Sequence, residues 1–483
     1  MPIEELISLI SSPGKDGWTE NHQRIFGQLF GSQGGRYPTS AQTALKVRAP
    51  EGADVPFAAY IHPSNPDSGP YSGLSLVFFP PNGWTGAPCL IAMVVGTQGL
   101  SPDEAILSRP GHARKLRAIC SWLNATDPNS AWAKHDPARI DIRVPEQVVS
   151  RLPEWKAALD RYGGEIYALF RPGPNEELNR QALAAFLDLL LKERRFSPLA
   201  AAQKDAADIE SRWFEHLMPS VTEGRIIALL QQRLFVILQG PPGTGKTYMA
   251  RKLLREAYGG RGEIVQFHAN TTYENFIGGL APVEDAAQAG LRFAPRRGYL
   301  MKAVAETDSR PRLLVLDEIN RADLAKVLGE AIFLFEAREP DRTVSLPYDF
   351  GDPIGSTLRL PQNLHILGTM NTADRSIALV DVAVRRRFAF VDLWPSSAVV
   401  EEHGSRLCKE FFKKTVSLFV EFAGEDAMNL VPGHSYFLAE DDAEAVGRLQ
   451  FELVPLLQEY LAQGFVAGFA EEVRALIQEI QAL

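Results

Sequence analysis

Four short stretches hold residues whose types and spacing could do chemistry. The first is Gly240-Pro241-Pro242-Gly243-Thr244-Gly245-Lys246-Thr247, a G-x-x-x-x-G-K-[ST] pattern between an apolar run and a helical one. Glycines at this spacing let the backbone curl until several N–H groups face phosphate oxygens, and the following helix adds its positive end. Lys246 would bring a point charge to the β- and γ-phosphates, and the Thr247 hydroxyl would ligate Mg2+. A plain Gly-rich turn before a helix is the alternative. The second stretch is Leu313-Leu314-Val315-Leu316-Asp317-Glu318, four apolar residues ending in two acids. Asp317 would hold Mg2+ through water, and Glu318 would orient and activate the attacking water. Adjacent acids at a strand end are common alone; about 70 residues after a phosphate loop they favour hydrolysis over binding.

The third stretch is the run LHILGTM (364–370), ending in Asn371-Thr372-Ala373-Asp374-Arg375. A polar residue at such a strand tip can hold the lytic water against Glu318, and Asn371 is the candidate. A turn after a strand, using Asn and Asp for turn chemistry, is the plainer reading. The fourth is Arg385-Arg386-Arg387-Phe388 after the apolar stretch IALVDVAV. Basic residues suit the end of a helix dipole. In a ring-forming NTPase the same place is where an arginine reaches a neighbour's γ-phosphate.

These residues need elements to position them. VTEGRIIALLQQ (221–232) reads as a helix, LFVILQ (234–239) as a buried strand, and TYMARKLLREAY (247–258) as a helix after the glycine loop. EIVQFH (263–268), RLLVLDE (312–318) and LHILGTMN (364–371) are further strands. Strands alternating with helices predict a mostly parallel sheet covered on both faces. Three amphipathic runs, 405–424, 443–463 and 469–483, predict a helical domain after about Trp394. Earlier, 69–84 and 87–97 carry short apolar β-prone runs. Helical stretches over 102–123 are broken at Pro110-Gly111, and Leu183, Phe186, Leu187 and Leu190 recur at helical spacing over 179–196. The small, polar stretch SPLAAAQKDAADIESRW (197–213) marks the domain boundary. The expected organisation is 1–200, an α+β N-terminal recognition domain; 201–214, a linker; 215–394, an α/β nucleotide-binding domain; and 395–483, a helical lid.

Composition narrows the class. The 483 residues are 45% hydrophobic and 23% charged, ordinary for a globular chain of two or three domains. No apolar run approaches the roughly 18 residues that span a bilayer. MPIEELISLI has no basic segment before an apolar one, so a secretory signal is not expected. Three scattered cysteines, Cys89, Cys120 and Cys408, exclude a disulfide framework or a Cys-based zinc cluster and suit a reducing cytoplasm. The net charge of -9 argues against a protein coated in positive field. Residues 1–200 hold 20 basic and 20 acidic residues, so the remainder carries all of the -9 and the first part is less repelled by DNA.

GPPGTGKT, DEINRA, a strand ending in Asn and RRRF together resemble an AAA+ P-loop NTPase module with a helical lid. Within that superfamily, VQFHANTTYENFIGGLAP (265–282), LDEINRADLAKVLGE (316–330), GTMNTADRSIALVDVAVRRRF (368–388) and PGHSYF (432–437) resemble the McrB family, the GTP-hydrolysing motor subunits of modification-dependent restriction systems. MNTADRS is the most specific string, and the likeness covers roughly 215–440. The resemblance implies that Gly240–Thr247, with the adjoining Tyr248, cradle GTP with Mg2+ on Thr247 and Asp317. It also implies Glu318 as catalytic acid and Asn371 as sensor. Arg386, with Arg387 beside it, would act on a neighbour's nucleotide. Asp374, Arg375 and Arg321 would shape the catalytic loop, and His434 and Ser435 would lie where the lid closes. It further implies a hexameric ring, cytoplasmic and with no membrane association, whose hydrolysis is stimulated by a separate McrC-like nuclease subunit. The phosphate loop meets only phosphates, so GTP over ATP rests on resemblance alone.

The N-terminal part is less explicit. Trp18, Trp84, Trp122, Trp132 and Trp155 could stack a flipped base of modified DNA, although tryptophan more often fills a core. His112, Arg114, Lys115 and Arg117 could meet phosphate, or form one solvated helix face. Asp141 with Glu154-Trp155-Lys156 has the spacing of a metal-dependent nuclease. Pro153, however, opens a helix there, not the strand such chemistry uses, so cleavage is expected on another chain. Two rival functions remain open: a MoxR-like ATPase that remodels proteins, and a nucleotide-gated sensor that assembles an effector.

Overall fold

A computed structural model describes residues 2–31, 34–50, 54–284, 291–336, 339, 341–373 and 382–483. The chain divides into two compact units, Met1–Pro219 with Val420–Phe422, and Ser220–Phe419 with Ala423–Leu483.

The first unit is built on an antiparallel sheet of β1 (Lys46–Arg48), β2 (Ala58–Ile61), β3 (Leu74–Phe79), β4 (Leu90–Val95), β5 (Ala131–Ala133) and β6 (Ile166–Phe170), ordered β1-β2-β3-β4-β6-β5. Both faces are covered. Leu74, Leu76 and Phe78 of β3 enter one core with the helices Pro110–Thr126 and Glu176–Lys192, while Val77 and Phe79 enter the other. A strand with both faces buried is mostly apolar, which is why 74–79 shows no regular alternation, and its one polar residue, Ser75, donates to Val94 O at 2.9 Å. Pro110 does not merely interrupt a helix: it is the first residue of one, where its missing N–H costs nothing. Residues 201–214, expected as a linker, lie within the helix Ala200–Leu217, whose Ala206, Ile209 and Trp213 are buried.

The second unit holds a parallel sheet of β7 (Phe235–Gly240), β8 (Gly262–Gln266), β11 (Arg312–Asp317), β14 (Leu364–Asn371) and β15 (Ala389–Asp392), ordered β15-β7-β14-β11-β8. Two antiparallel pairs stand outside it, β9 (Gly278–Glu284) with β10 (Leu291–Arg297), and β12 (Val344–Ser345) with β13 (Thr357–Leu358). Phe235 and Ile237 of β7 pack on one face, Val236 and Leu238 on the other. Helices Glu223–Arg233 and Lys246–Glu256 cover the second face, and Tyr299–Ala305 and Leu324–Leu328 the first. Burying both faces is the main favourable term for such a sheet. It leaves the strand ends to carry polar groups, and the crevice at the carboxyl ends, where strand order reverses beside β7, is where ligands bind in sheets of this kind.

After β15 the described chain is helical, with Arg406–Phe422 and Ala470–Gln481 the longest pieces. The run expected as one helix over 443–463 is an α-helix, Asp442–Arg448, then a π turn, Leu449–Leu453, then Val454–Ala462. Pro455 explains the irregularity, because it lacks the N–H that would close the preceding α turn. Among the described residues no helix is long and apolar enough to cross a membrane.

Candidate active site

β7 ends at Gly240, which lies opposite Asn371 of β14. A Cβ on Gly240 would collide with the Leu393 carbonyl oxygen, so only glycine lets β15 continue beside the turn. Gly243 and Gly245 have φ of +79° and +76°, the left-handed region that glycine enters at least cost. The helix Lys246–Glu256 begins immediately after, with its free N–H groups on the loop side. Lys246 is 7% exposed. Its Nζ donates to the carbonyls of Gly240 at 3.0 Å and Pro241 at 2.7 Å, and Thr244 Oγ1 donates to Pro241 O at 3.0 Å. Tyr248, one residue past the loop's threonine, is 68% exposed.

The acids stand on the neighbouring strands. Thr247 Oγ1 donates to Asp317 Oδ1 at 2.8 Å, across 70 residues of sequence. Glu318 leaves β11 in a left-handed conformation, φ 56° and ψ 47°, uncommon for a residue with a side chain. Its carboxylate Oε2 faces Arg321 Nε at 2.5 Å. Thr369, two residues before the tip of β14, donates to Asp317 Oδ1 at 2.5 Å and accepts from the Glu318 N–H at 3.0 Å. The sequence does not single out Thr369, whose one local signal is a hydroxyl in a largely apolar strand that pairs with the acid-bearing one. Asn371 is half-buried at the strand tip, where Asn320 Nδ2 donates to its carbonyl at 3.2 Å.

The segment Gly433–Phe437 lies on the loop. Gly433 N donates to Pro242 O at 2.9 Å and Ser435 N to Gly243 O at 3.0 Å, and a Cβ on Gly433 would collide with the backbone of Gly243. His434 Nδ1 accepts from Ser396 N at 3.2 Å. Burial, and then the charge of Lys246, push this imidazole down to about 4. It is therefore neutral at pH 7, and the bond at Nδ1 assigns the proton to Nε2, the nitrogen beside Gly245. Phosphate loop, acids, Asn371, His434 and Ser435 thus share one end of the parallel sheet.

The arginines are placed in part. Arg386 is exposed and Arg387 half-buried just after the short helix Val382–Arg385, and the Arg385 guanidinium lies 5.4 Å from the Phe390 ring centre. Asp374 and Arg375 lie outside the described residues.

The N-terminal candidates turn inward. Trp18, Trp122 and Trp155 are buried, and Trp84 and Trp132 are half-buried, with Trp84 edge-on to Trp18 at 5.1 Å. The helix face expected to be solvated or to meet phosphate is instead packed against the rest of the unit. His112 is fully buried, with Nδ1 3.6 Å from Glu193 Oε1 and Nε2 3.2 Å from the Tyr167 hydroxyl; Lys115 Nζ bonds Glu193 at 2.7 Å, and Arg117 donates to His135 O at 3.2 Å. The counter-charge comes from 78 residues away, which no local pattern shows. Burial raises the Glu193 carboxyl, yet His112 and Lys115 outweigh it and hold the group below its usual range. Asp141 is exposed and paired with Arg139, while Glu154 and Lys156 start a helix, as expected.

A parallel sheet of this order, with a phosphate loop after its first strand, an Asp-Glu pair on the third and a helical lid, is the AAA+ form of the P-loop nucleoside triphosphatase. The family model for the AAA domain of the dynein-related subfamily matches residues 235–388. The EcoKMcrB subunit of a type IV methyl-directed restriction enzyme from Escherichia coli is 33% identical over 369 residues, 70% of this chain and 78% of that protein. The YdiS component of the type II restriction enzyme BsuMI from Bacillus subtilis is 27% identical over 229 residues, 38% of this chain and 66% of that one. A solved Thermotoga maritima RuvB mutant aligns with 54% of this chain and 70% of its own at 17% identity and a TM-score of 0.23. The chain belongs to the McrB family, the AAA+ subunits of restriction systems.

Proposed function

We propose that the chain is the GTP-hydrolysing motor of a modification-dependent restriction complex. In this reading it forms a hexameric ring in the cytoplasm, reads DNA through an N-terminal recognition domain (1–200), and drives a McrC-like nuclease partner. Residues 215–394 are the motor core and 395–483 its lid. The observation that carries hydrolysis is the Thr247–Asp317 contact of 2.8 Å beside a buried Lys246, with Glu318 the next residue along. GTP and the partner rest on family membership.

The chain's own groups divide the work. Lys246 exchanges the Gly240 and Pro241 carbonyls for phosphate oxygens, joined by the N–H groups of Gly243–Thr247, while Tyr248, His434 and Ser435 line the nucleotide. Thr247 and Asp317 fit Mg2+: an alcohol and a carboxylate are hard oxygen donors, and both hydrogen bonds to Asp317 fall on Oδ1, leaving Oδ2 free among the described residues. When bound, the ion neutralises phosphate charge. Glu318 orients and deprotonates the attacking water with Asn371, and Asp374, Arg375 and Arg321 shape the loop around them. Arg386 and Arg387 stabilise the transition state on a neighbouring subunit.

Phosphate release from GTP and ATP in parallel, wild type against Glu318→Gln, tests this. GTP preference lost in the variant supports the motor. The string DEINRA (317–322) also suits a second reading, a MoxR-like ATPase that remodels proteins, and ATP preference without dependence on DNA would favour that one.

A further inference from the structure

We infer that Thr369 is a positioning residue for hydrolysis and that it acts through the backbone of Glu318. The inference rests on the hydrolytic reading above and adds a residue to it. Thr369 is 1% exposed and sits where β14 runs beside β11. A hydroxyl has one proton and two lone pairs. Asp317 Oδ1, at 2.5 Å, is a carboxylate oxygen and takes the proton; the lone pair is then left for the Glu318 N–H at 3.0 Å. One side chain therefore ties both acids to the strand whose tip is Asn371.

Glu318 is where such a tie has consequences. It is one of the few residues other than glycine with a positive φ, and residues held in such conformations persist only when their surroundings over-determine them. Its left-handed turn sends the chain from β11 into the 3-10 turn Ile319–Arg321. Asn320 Nδ2 then reaches the Asn371 carbonyl at 3.2 Å, so β14 grips this turn at two points and Thr369 is the one on Glu318 itself. Without the hydroxyl, the Glu318 N–H loses its acceptor, the left-handed conformation loses its anchor, and the carboxylate swings with it.

A buried threonine that merely satisfies its own hydroxyl would give a different set of rates. Thr369→Val keeps the shape and removes both hydrogen bonds, whereas Thr369→Ser keeps both bonds and removes a methyl. Steady-state hydrolysis is measured for both, alone and in the Glu318→Gln background, with affinity for a fluorescent GTP analogue measured alongside. A displaced catalytic group costs about 10²-fold. Thr369→Val should therefore lose about that much kcat while KM and analogue affinity stay within about threefold, and Thr369→Ser should stay within about threefold of wild type. In the Glu318→Gln background Thr369→Val should cost nothing further, because the group it positions is gone. Should the valine variant not fold, Thr369→Ala replaces it in the same scheme.

A Thr369→Val kcat near wild type, or an equal loss with and without Glu318, overturns the inference while leaving the hydrolytic reading intact. A Glu318→Gln variant as fast as wild type, or a wild type with no turnover of either nucleotide, overturns the hydrolytic reading and this one with it.

Discussion

In the first unit, most buried charged side chains meet an opposite charge, Lys134, which donates to the Arg139 and Gly164 carbonyls, being an exception. Arg36 meets Asp188 at 2.6 Å and Asp205 at 2.7 Å, and Arg194 meets Asp103 at 2.8 Å. In the second, they gather at the carboxyl ends of parallel strands, and their partners are exchangeable. Lys246 leans on backbone carbonyls, Asp317 on two hydroxyls, and Glu318 faces an arginine that is itself half exposed. Buried charges that complete one another hold a structure; the charges at these strand ends, met by carbonyls and hydroxyls, are placed to trade them for a ligand. The same contrast appears in the strands. β3 and β4 are buried along their whole length, whereas β7, β11 and β14 end in Gly240, Asp317 and Asn371.

The largest effect expected from this contrast lies at the exchangeable end. If Arg386 serves a neighbour's nucleotide, Arg386→Ala should lower hydrolysis by about 10³–10⁵-fold, as arginine fingers do. Mixing Arg386→Ala with Glu318→Gln protein should restore part of it, because sites pairing an intact Glu318 with an intact Arg386 reform between subunits. Phosphate release across mixing ratios reads this directly, and a mixture no faster than the two proteins measured apart would place Arg386 outside the neighbour's site. The next effect lies in the first unit. Asp188 accepts from Arg36 Nε and Nη2 and from the Tyr37 hydroxyl. Asp188→Asn strands a buried guanidinium with only the half-buried Asp205 to meet it, and should lower unfolding stability by about 3 kcal/mol. Urea denaturation measures it, and an unchanged midpoint would mean that the pairing is dispensable.

How much could be read from the chain follows the same division. β7, β11 and β14 fall on the runs LFVILQ, RLLVLDE and LHILGTMN, because a strand buried on both faces is mostly apolar and its polar end then stands out, the buried His365 and Thr369 of β14 being exceptions. The role of Thr369 is not legible from its hydroxyl alone, because its partners lie 51 and 52 residues earlier, across a strand pairing that local pattern does not encode. Gly433 was noticed only as part of a string, since its requirement, contact with the backbone of Gly243, exists only once the lid segment is folded onto the loop. The basic run at His112–Arg117 misled for the converse reason: a helix face is basic both when it meets solvent and when a distant Glu193 comes to meet it. The stretch 201–214 was misread from its small polar composition. Ala206, Ile209 and Trp213 repeat at helical spacing and were outweighed by the residues between them.

Smaller effects are expected at two histidines, one in each unit. His434 of the second unit titrates near 4 when folded and near 6.5 in an unfolded chain. Between those values the unfolded chain binds more protons, so the stabilisation present in full above pH 6.5 is lost as pH falls toward 4. One group contributes a slope of at most about 1.4 kcal/mol per pH unit. His434→Asn keeps an acceptor for Ser396 N but does not titrate, so its urea midpoint should fall less than that of wild type between pH 6.5 and 4.5. Parallel curves would show that His434 is not the group responsible.

His22 of the first unit gives the smallest effect and the most direct probe of whether that unit's interior is only structural. It is fully buried, stacked on Phe78 with ring centres 5.8 Å apart and edge-on to Trp18 at 4.2 Å. Neither ring nitrogen has a hydrogen-bond partner among the described residues, and burial pushes the imidazole down to about 3. A buried polar group without partners costs about 1–3 kcal/mol, so replacing it with a ring that needs none should recover some of that, less the strain of the larger side chain. His22→Phe should thus leave the unfolding free energy at pH 7, read by urea denaturation, unchanged or raise it by up to about 1 kcal/mol, and should weaken the acid sensitivity below pH 6.5. A clear loss of stability would mean that the imidazole is satisfied by an ordered water or a ligand. The first unit would then hold an exchangeable polar site within its core, as the second does at the carboxyl ends of its strands.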